Sequence, residues 1–209
     1  MTRIMLILAA MMLTAAGCTP AYHVHFNGYS ELSEPPDRDA PVHVATDPNS
    51  ENLVFQRQIK DKAERLLDAE GYTVAETPEG AAYEVTFRVA TMARETIDRT
   101  PIMGLRGGFL VRYSRGYAFG QTFYQPYYDS EYRQWLIVRL FRLDGDAPDA
   151  RHLVWVGEAA LQADRAAIRE LVDYLLVACV EYLGIDTREE ITLKIERDDP
   201  RVMEIAGER

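Results

Sequence analysis

The sequence lacks the motifs that mark the common enzyme classes. It contains no glycine-rich phosphate loop, no G-x-S-x-G elbow, no H-E-x-x-H pair and no C-x-x-C pair. It has four histidines, and none of them stands next to a serine or a cysteine. The sequence therefore shows no evident set of residues for nucleophilic catalysis. These absences predict a protein that is not an enzyme and that uses no cofactor.

Lysine is also scarce, with three residues against twenty arginines, and acidic residues outnumber basic ones. The formal net charge is −10 at pH 7. Proteins that bind nucleic acids need lysine and arginine clustered over a broad face. The composition therefore excludes nucleic acid as an expected partner.

The apolar run Ile4–Leu13 is shorter than the roughly 20 residues needed to cross a bilayer. One arginine precedes it and small residues follow it, which is typical of an export signal. The signal ends in AAGC, residues 15–18, which resembles a bacterial lipobox, whose cysteine receives a diacylglycerol. We expect removal of residues 1–17, a lipid on Cys18 and a short tether at 18–21. An ordinary signal with an incidental cysteine is the alternative.

The residue after that cysteine indicates a location. Thr19 is not the aspartate typical of inner-membrane retention, so the chain resembles outer-membrane lipoproteins that face the periplasm. The membrane, reached through the N-terminal lipid, is thus the first expected partner. Once Cys18 is acylated, Cys179 has no cysteine with which to form a disulfide.

Periodicity predicts one α+β domain over residues 22–196, followed by a charged tail at 197–209. An amphipathic helix is predicted from Asp47 or Ser50 to Gly71, and a second from Asp164 to Gly184. Strands are predicted at 22–26, 42–46, 83–96, 134–143, 152–162 and 190–196. Long neighbouring strands joined by turns favour an antiparallel β-sheet with both helices packed on one face. A long Tyr/Gly/Arg loop at 97–133 would be a hairpin insertion.

Several short stretches of the chain occur in a distinctive order. They are the sequence AEGY at 69–72, Tyr132-Arg133, the strand Leu153-Val154-Trp155-Val156-Gly157 with Ala159 and Ala160 after it, and the helix from residue 166. Together they resemble a family of bacterial lipoproteins known as domain of unknown function 4136. The resemblance covers roughly residues 22–184. It departs at Gln134-Trp135, where the family has a Glu-Gly pair, and at AAYEV, residues 81–85, where an aspartate is usual. It implies a small α+β domain behind a lipid anchor, and no known activity.

The stretch from Arg99 to Tyr128 differs from the rest of the chain. It holds four arginines and no acidic residue, and it is rich in glycine and aromatic residues. A connection of this length is usually functional or disordered, and tyrosine and arginine dominate interface hot spots. We predict contact with an envelope protein or polymer. The candidate binding residues are Arg112, Arg115, Tyr117, Tyr124, Tyr127 and Tyr128.

A structural interpretation of the same stretch is also open. Tyr117, Phe119, Phe123 and Tyr124 could cover an apolar face of the sheet around Trp135, because uncovered apolar faces attract aromatic side chains. The two interpretations are compatible if only part of the stretch packs.

Two other functions are possible from the residues. His23 and His25 form a His-x-His pair that could bind a metal or small ligand, although no third ligand lies nearby in sequence. Glu158 lies on a largely apolar strand and could act as the acid of a hydrolase. Exposed strand positions, and for Glu158 a pairing with Arg139, are the structural alternatives.

Overall fold

The computed structural model describes residues 20–47, 50, 52–98, 112–113, 116–117, 127–143, 151–163 and 167–207. The predicted lipidation site Cys18 and the candidate residues Arg115 and Tyr124 lie outside them. The strands and helices of the described residues follow one another as β1 Ala21–Ser30, β2 Val42–Ala45, α1 Leu53–Ala69, β3 Val74–Ala75, β4 Tyr83–Asp98, β5 Arg112–Tyr113, β6 Gly116–Tyr117, β7 Tyr127–Leu143, β8 Arg151–Ala163, α2 Ile168–Glu181, β9 Ile191–Glu196 and α3 Pro200–Ala206.

Seven of the described strands form one mixed sheet in the order β3-β2-β4-β7-β8-β1-β9, and β5 and β6 pair separately. Most pairings in the large sheet are antiparallel, as the sequence predicts. β2, however, lies parallel to both β3 and β4. The reason is the connection between β2 and β3, which passes through α1, because a helical crossover returns the chain in the same direction.

The core lies on one face of this sheet. Along β7, Leu136, Val138 and Leu140 are buried, whereas the residues between them are half-buried or exposed. This is the two-residue period of a strand with one buried face. The register places Val85 of β4 beside Leu140, and Ala159 of β8 beside Leu136. These residues belong to a single hydrophobic core that also contains residues of all three helices.

Helix α1 begins later than predicted. Its N-cap is Asn52, whose Oδ1 accepts a hydrogen bond from the backbone N–H of Phe55 at 3.0 Å. The predicted caps Asp47 and Ser50 are therefore wrong, because a capping side chain must reach the second or third helical N–H. The predicted end is confirmed, since Gly71 follows the helix with a φ of +85°.

Helix α2 is buried on every side. All ten residues from Leu171 to Val180 are buried, including Asp173 and Tyr174. Lys62 of α1 compensates the buried carboxylate of Asp173, because its Nζ donates two hydrogen bonds to that carboxylate, at 2.5 and 2.7 Å. Burial also raises the pKa of the Cys179 thiol well above its usual range, which keeps it protonated. The helix begins at Ile168, with Ala167 at the N-cap, and the predicted cap Asp164 lies outside the described residues.

The predicted charged tail contains a third helix. Asp199 is the N-cap of α3 and accepts a hydrogen bond from the Arg201 backbone N–H at 2.9 Å, and Pro200 occupies the first turn. Val202 and Ile205 are buried, and α3 contacts both α1 and α2. Three mutually contacting helices thus replace the predicted pair. None of the described helices is long and apolar enough to span a bilayer.

The Val-Trp-x-Gly part of β8 has a steric explanation. A Cβ on Gly157 would overlap Cη2 of Trp155, so only glycine leaves room for the indole. The indole is buried, and its Nε1 donates a hydrogen bond to the carbonyl oxygen of Ile185 at 3.0 Å. Trp155 therefore ties the segment after α2 to the sheet.

Candidate functional site

β4 and β7 form a ladder that is longer than the body of the sheet. Its pairs extend from Tyr83 opposite Arg142 to Asp98 opposite Tyr127. The neighbouring strand β8 makes its last pair with β7 at Tyr132. The five pairs beyond this point, formed by residues 94–98 and 127–131, have no other strand beside them in the described part of the chain. We call these residues the arm.

The arm changes the predicted boundaries of the Tyr/Gly/Arg loop. β7 begins at Tyr127 rather than near Gln134, so residues 127–133 belong to a strand. The candidate residues Tyr127 and Tyr128 lie in the arm, opposite Asp98 and Ile97. Residues 99–126 then connect the two strands at the free end of the arm.

Two other candidate residues are brought together by the backbone. Arg112 of β5 pairs with Tyr117 of β6 in a short antiparallel ladder. Arginine and tyrosine are thus opposite each other in the segment that the arm carries. Arg115 and Tyr124 belong to the same segment by sequence.

The N-terminus leaves the sheet at the same end as the arm. His25 of β1 is opposite Ala160 of β8, Ala160 is opposite Trp135 of β7, and Trp135 is opposite Ala90 of β4. From this row, β1 followed towards its first residue, Ala21, and β4 followed towards the arm extend in the same direction. Ala21 therefore lies at the level of Arg94, where the arm begins.

Polar groups are buried at the root of the arm. Gln134 is fully buried; its Oε1 accepts a hydrogen bond from Thr91 Oγ1 at 2.6 Å, and its Nε2 has no partner among the described residues. On either side of it, Arg133 Nε and Trp135 Nε1 are also buried without a partner among the described contacts, and the guanidinium of Arg133 lies 4.7 Å from the Trp135 ring. Buried donors without acceptors are rare in folded proteins. Sequence reasoning missed Gln134, because a polar residue in a strand normally indicates an exposed position.

The His-x-His pair lies on β1. His23 is exposed and His25 is half-buried, and His25 Nδ1 lies 3.0 Å from Glu190 Oε1. Among the described residues no group of three or more His, Cys, Asp or Glu could hold a metal ion. The described residues therefore contain no metal cluster that includes His23 and His25.

Glu158, the predicted acid of a hydrolase, is half-buried on β8. The register places it opposite Ile137 and Asn27. Arg139 lies opposite Val156, one diagonal step from Glu158. Among the described residues, Glu158 thus has Ile137, Asn27 and, diagonally, Arg139 as its neighbours on the sheet.

A cavity of about 620 Å³ lies elsewhere, between the start of β1, α2 and α3. Tyr22 and Tyr174 form its aromatic wall, with ring centres 4.5 Å apart. Arg197 Nη2 donates a hydrogen bond to the Tyr22 hydroxyl at 3.0 Å, and this bond raises the pKa of Arg197 above its ordinary value. Within the wall, Arg197 and Tyr22 are thus hydrogen-bonded to each other, and Asp173 is paired with Lys62.

The chain has no match among protein-family models or among curated proteins. Solved structures to which the chain is similar include a PelC L103M dodecamer from Paraburkholderia phytofirmans, with 14% identity over 77% of this chain and 98% of that chain at a TM-score of 0.43. A DUF4136 family protein from Bacteroides thetaiotaomicron is 11% identical over 75% of this chain and 91% of its own, with a TM-score of 0.35. A minor lipoprotein from Acinetobacter baumannii is 10% identical, covering 68% and 84% at a TM-score of 0.30. Similarity at this distance assigns no function.

Proposed function

We propose that the protein is a lipid-anchored, non-catalytic binding module of the bacterial cell envelope. The observation that carries this proposal is the arm, a two-stranded extension that continues beyond the last pair of β7 with β8. A ribbon of this kind contributes little to a core, because two strands alone are only marginally stable in water. Since the arm adds little stability of its own, a contact with a partner best explains its presence.

The anchor is assigned to Cys18, with residues 1–17 as the signal peptide and the outer membrane, facing the periplasm, as the destination. The export signal and the AAGC sequence support this assignment. The first strand supports it as well, because β1 begins at Ala21, three residues after the cysteine. The folded domain is thus held close to the membrane surface.

The contact surface is assigned to the arm and to the segment that it carries. Tyrosine and arginine are the residue types that most often dominate binding energy at interfaces. The assigned residues are Arg112, Arg115, Tyr117, Tyr124, Tyr127 and Tyr128. The lack of catalytic motifs in the sequence supports a binding role instead of a chemical one.

A photo-reactive amino acid at Tyr128 in intact cells tests the contact surface. We expect a crosslinked product from this position, because it lies in the arm. The control position is Tyr29 on β1, which is 56% exposed and lies opposite Val156 of β8, at the end of β1 away from the arm. Equal crosslinking from both positions, or none from Tyr128, would contradict a contact surface on the arm.

The substitution Cys18→Ala tests the anchor. The variant should lose membrane attachment while the domain still folds, because β1 begins only after the tether. Fractionation of cells should move the protein from the membrane to the periplasmic extract. Persistent membrane association of Cys18→Ala would show that another surface anchors the protein.

A further inference from the structure

We infer that β9 is an interface strand that pairs antiparallel with β9 of a second copy of this chain. The two sheets join edge to edge about a two-fold axis that passes through Thr192. The direction of the backbone groups of β9, its side chains and its charges carry this inference. It depends neither on the arm nor on the lipid anchor.

The two ends of the seven-stranded sheet differ. β3 ends the sheet on one side with two residues, whereas β9 ends it on the other side with six. All six residues pair with β1 in one register without a shift, and β9 contains no proline. Short edge strands, prolines and bulges are features that protect a sheet edge from further pairing. β9 has none of these three features.

Hydrogen bonds show which backbone groups of β9 face its outer edge. The N–H of Arg197 donates to the carbonyl oxygen of Pro20 at 3.1 Å, and these two residues continue the register of β9 with β1. Residues of an antiparallel strand point alternately towards one neighbour and towards the other. Because Arg197 points towards β1, the odd-numbered residues of β9 do so as well. The N–H and carbonyl groups of Thr192, Lys194 and Glu196 therefore point away from β1.

The other neighbour of β1 gives the same alternation. The N–H of Glu31 donates to the carbonyl oxygen of Val154 at 2.9 Å, and this pair continues the register of β1 with β8. The odd-numbered residues of β1 thus point towards β8, and the even-numbered ones point towards β9. These even-numbered residues lie opposite the odd-numbered residues of β9, so both neighbours of β1 lead to one assignment.

One of the outward groups is already in use. The carbonyl oxygen of Glu196 accepts a hydrogen bond from the N–H of Asp199 at 3.1 Å. Within the described residues, no backbone hydrogen bond joins the outward groups of Thr192 or Lys194 to another segment. The part of the edge that can accept another strand therefore ends at Lys194.

The side chains of β9 are complementary to those of a copy. Ile191 and Leu193, on the core-facing side of the strand, are half-buried at the border of the core. An antiparallel copy with Thr192 on the axis puts Ile191 opposite Leu193 of the copy, so the apolar border of each core is covered by the other. The two threonines lie opposite each other on the exposed face. Pairs of both kinds stabilise antiparallel sheets.

The charges select the same register. Glu190, directly before β9, lies opposite Lys194 of the copy, and symmetry repeats this pair; the two side chains are 51% and 59% exposed. Lysine on an edge strand normally opposes pairing with another strand, but here each lysine faces a carboxylate. A shift of the copy by two residues would instead oppose Glu190 to Glu196 or Lys194 to Arg188. Like charges that face each other across two strands are destabilising.

Covalent trapping tests the pairing, because five residue pairs bury less area than a standard protein interface and give a weak complex in solution. Thr192→Cys places two thiols opposite each other with Cα atoms about 5.5 Å apart, a distance that a disulfide spans. Glu196→Cys is the control on the same face of β9, because its two copies would be about 27 Å apart along the strands. Met203→Cys, on an exposed position of α3, is the control elsewhere.

The full chain is expressed in cells, oxidised with copper phenanthroline and separated on non-reducing gels. The unsubstituted chain gives the background from the native cysteines, of which Cys179 is buried. We expect a disulfide-linked homodimer of Thr192→Cys and no dimer above background for Glu196→Cys or Met203→Cys. An equal yield from either control, no homodimer of Thr192→Cys, or trapping of a different protein at position 192 would overturn the inference.

An exchange of charges separates pairing between copies from effects within one chain. Added to Thr192→Cys, Glu190→Lys or Lys194→Glu alone should lower the yield of trapped homodimer about tenfold, because two attractive pairs become repulsive. Co-expression of the two variants with tags of different size should restore a heterodimer, since each lysine then faces a glutamate of the other chain. The mixture restores no contact that a variant has lost inside its own chain. A heterodimer yield as low as that of the homodimers would therefore contradict pairing through β9.

Discussion

The body of the sheet and the arm are built from the same two strands but are stabilised differently. In the body, β4 and β7 lie between β2 and β8, and their alternate residues pack into a core shared with three helices. In the arm, β4 and β7 have only each other among the described strands. The body therefore provides most of the stability of the protein, whereas the arm is the proposed contact surface. Substitutions should separate these roles.

The largest effect is expected for Gly157→Ala in the body. The new Cβ would overlap the benzene ring of Trp155, displace a buried indole and break its hydrogen bond to Ile185. Overpacking and a lost buried hydrogen bond together should cost about 3 kcal/mol or more in the free energy of unfolding. Denaturant unfolding of the soluble domain measures it.

Trp155→Phe provides the matched background for that experiment, because phenylalanine lacks the ring atoms that meet the new Cβ. Gly157→Ala should cost much less in this background than in the wild type, which a double-mutant cycle quantifies. An equal cost in both backgrounds would show that the indole is not the reason for the glycine.

The next effect is expected for Leu175→Ala in α2. Leu175 is fully buried in the core, so the substitution should lower the free energy of unfolding by about 2–5 kcal/mol. Met203→Ala, on an exposed position of α3, should change it by less than about 0.5 kcal/mol. An unchanged thermal midpoint for Leu175→Ala would mean that α2 is not packed on the sheet.

A smaller effect is expected for Asp199→Ala at the start of α3. Loss of the cap should cost about 1 kcal/mol, and Asp198→Ala next to it is the control without a cap. Hydrogen bonds from Arg201 hold the pKa of Asp199 below its ordinary value of 3.8. The stabilisation is therefore present above that value and is lost as the pH falls through the lower, folded-state pKa. Equal unfolding curves for the two variants at pH 7 would contradict the capping role.

The smallest effect on stability is expected at the end of the arm. The double variant Arg112→Ala with Arg115→Ala should melt at the wild-type temperature, because Arg112 belongs to the separate β5–β6 pair and not to the seven-stranded sheet that contains the core. Differential scanning calorimetry tests this. Partner capture should nevertheless weaken. A lower melting temperature would mean that these arginines stabilise the body, and the distinction between body and arm would fail.

Local patterns predicted the elements whose burial follows a simple period. The alternation of β4 and the apolar stripe of α1 both appear in the structure, since each element packs one face against the core. The parallel direction of β2 relative to β3 and β4 could not be predicted, because it depends on which strands lie beside β2 in the sheet after the helical crossover. The start of β7 at Tyr127 was missed because its pairing with β4 continues beyond the apolar pattern of the strand. The cap of α1 at Asn52 was missed because Asn52 replaces the caps that the local pattern indicated.

The same dipeptide had two outcomes in this chain. Asp-Pro at 199–200 caps and opens α3, whereas Asp47 does not cap α1 and Asn52 does. The two dipeptides differ in the residues that come after them. Val202 and Ile205 reach the core within the first turns after Pro200, but the first buried residue of α1 is Gln56. A cap signal has predictive value only when apolar residues come next at helical spacing.

The candidate residues themselves were visible in the sequence, since Tyr127, Tyr128, Arg112 and Tyr117 belong to an unusual stretch. Their relation to the N-terminus was not. It depends on the register through β8, and long-range register cannot be obtained from the composition of either strand.

The position of β1 has a consequence for how the chain folds. β1 is the first strand to emerge, yet it lies between β8 and β9, the last two strands to be made. Its hydrogen bonds close only when nearly the whole chain is present, which gives the fold a high contact order and a slow folding reaction. A lipidated nascent chain would thus be fixed to the bilayer by one end while its sheet is still incomplete. With the proposed lipid on Cys18, folding would then take place next to a membrane surface.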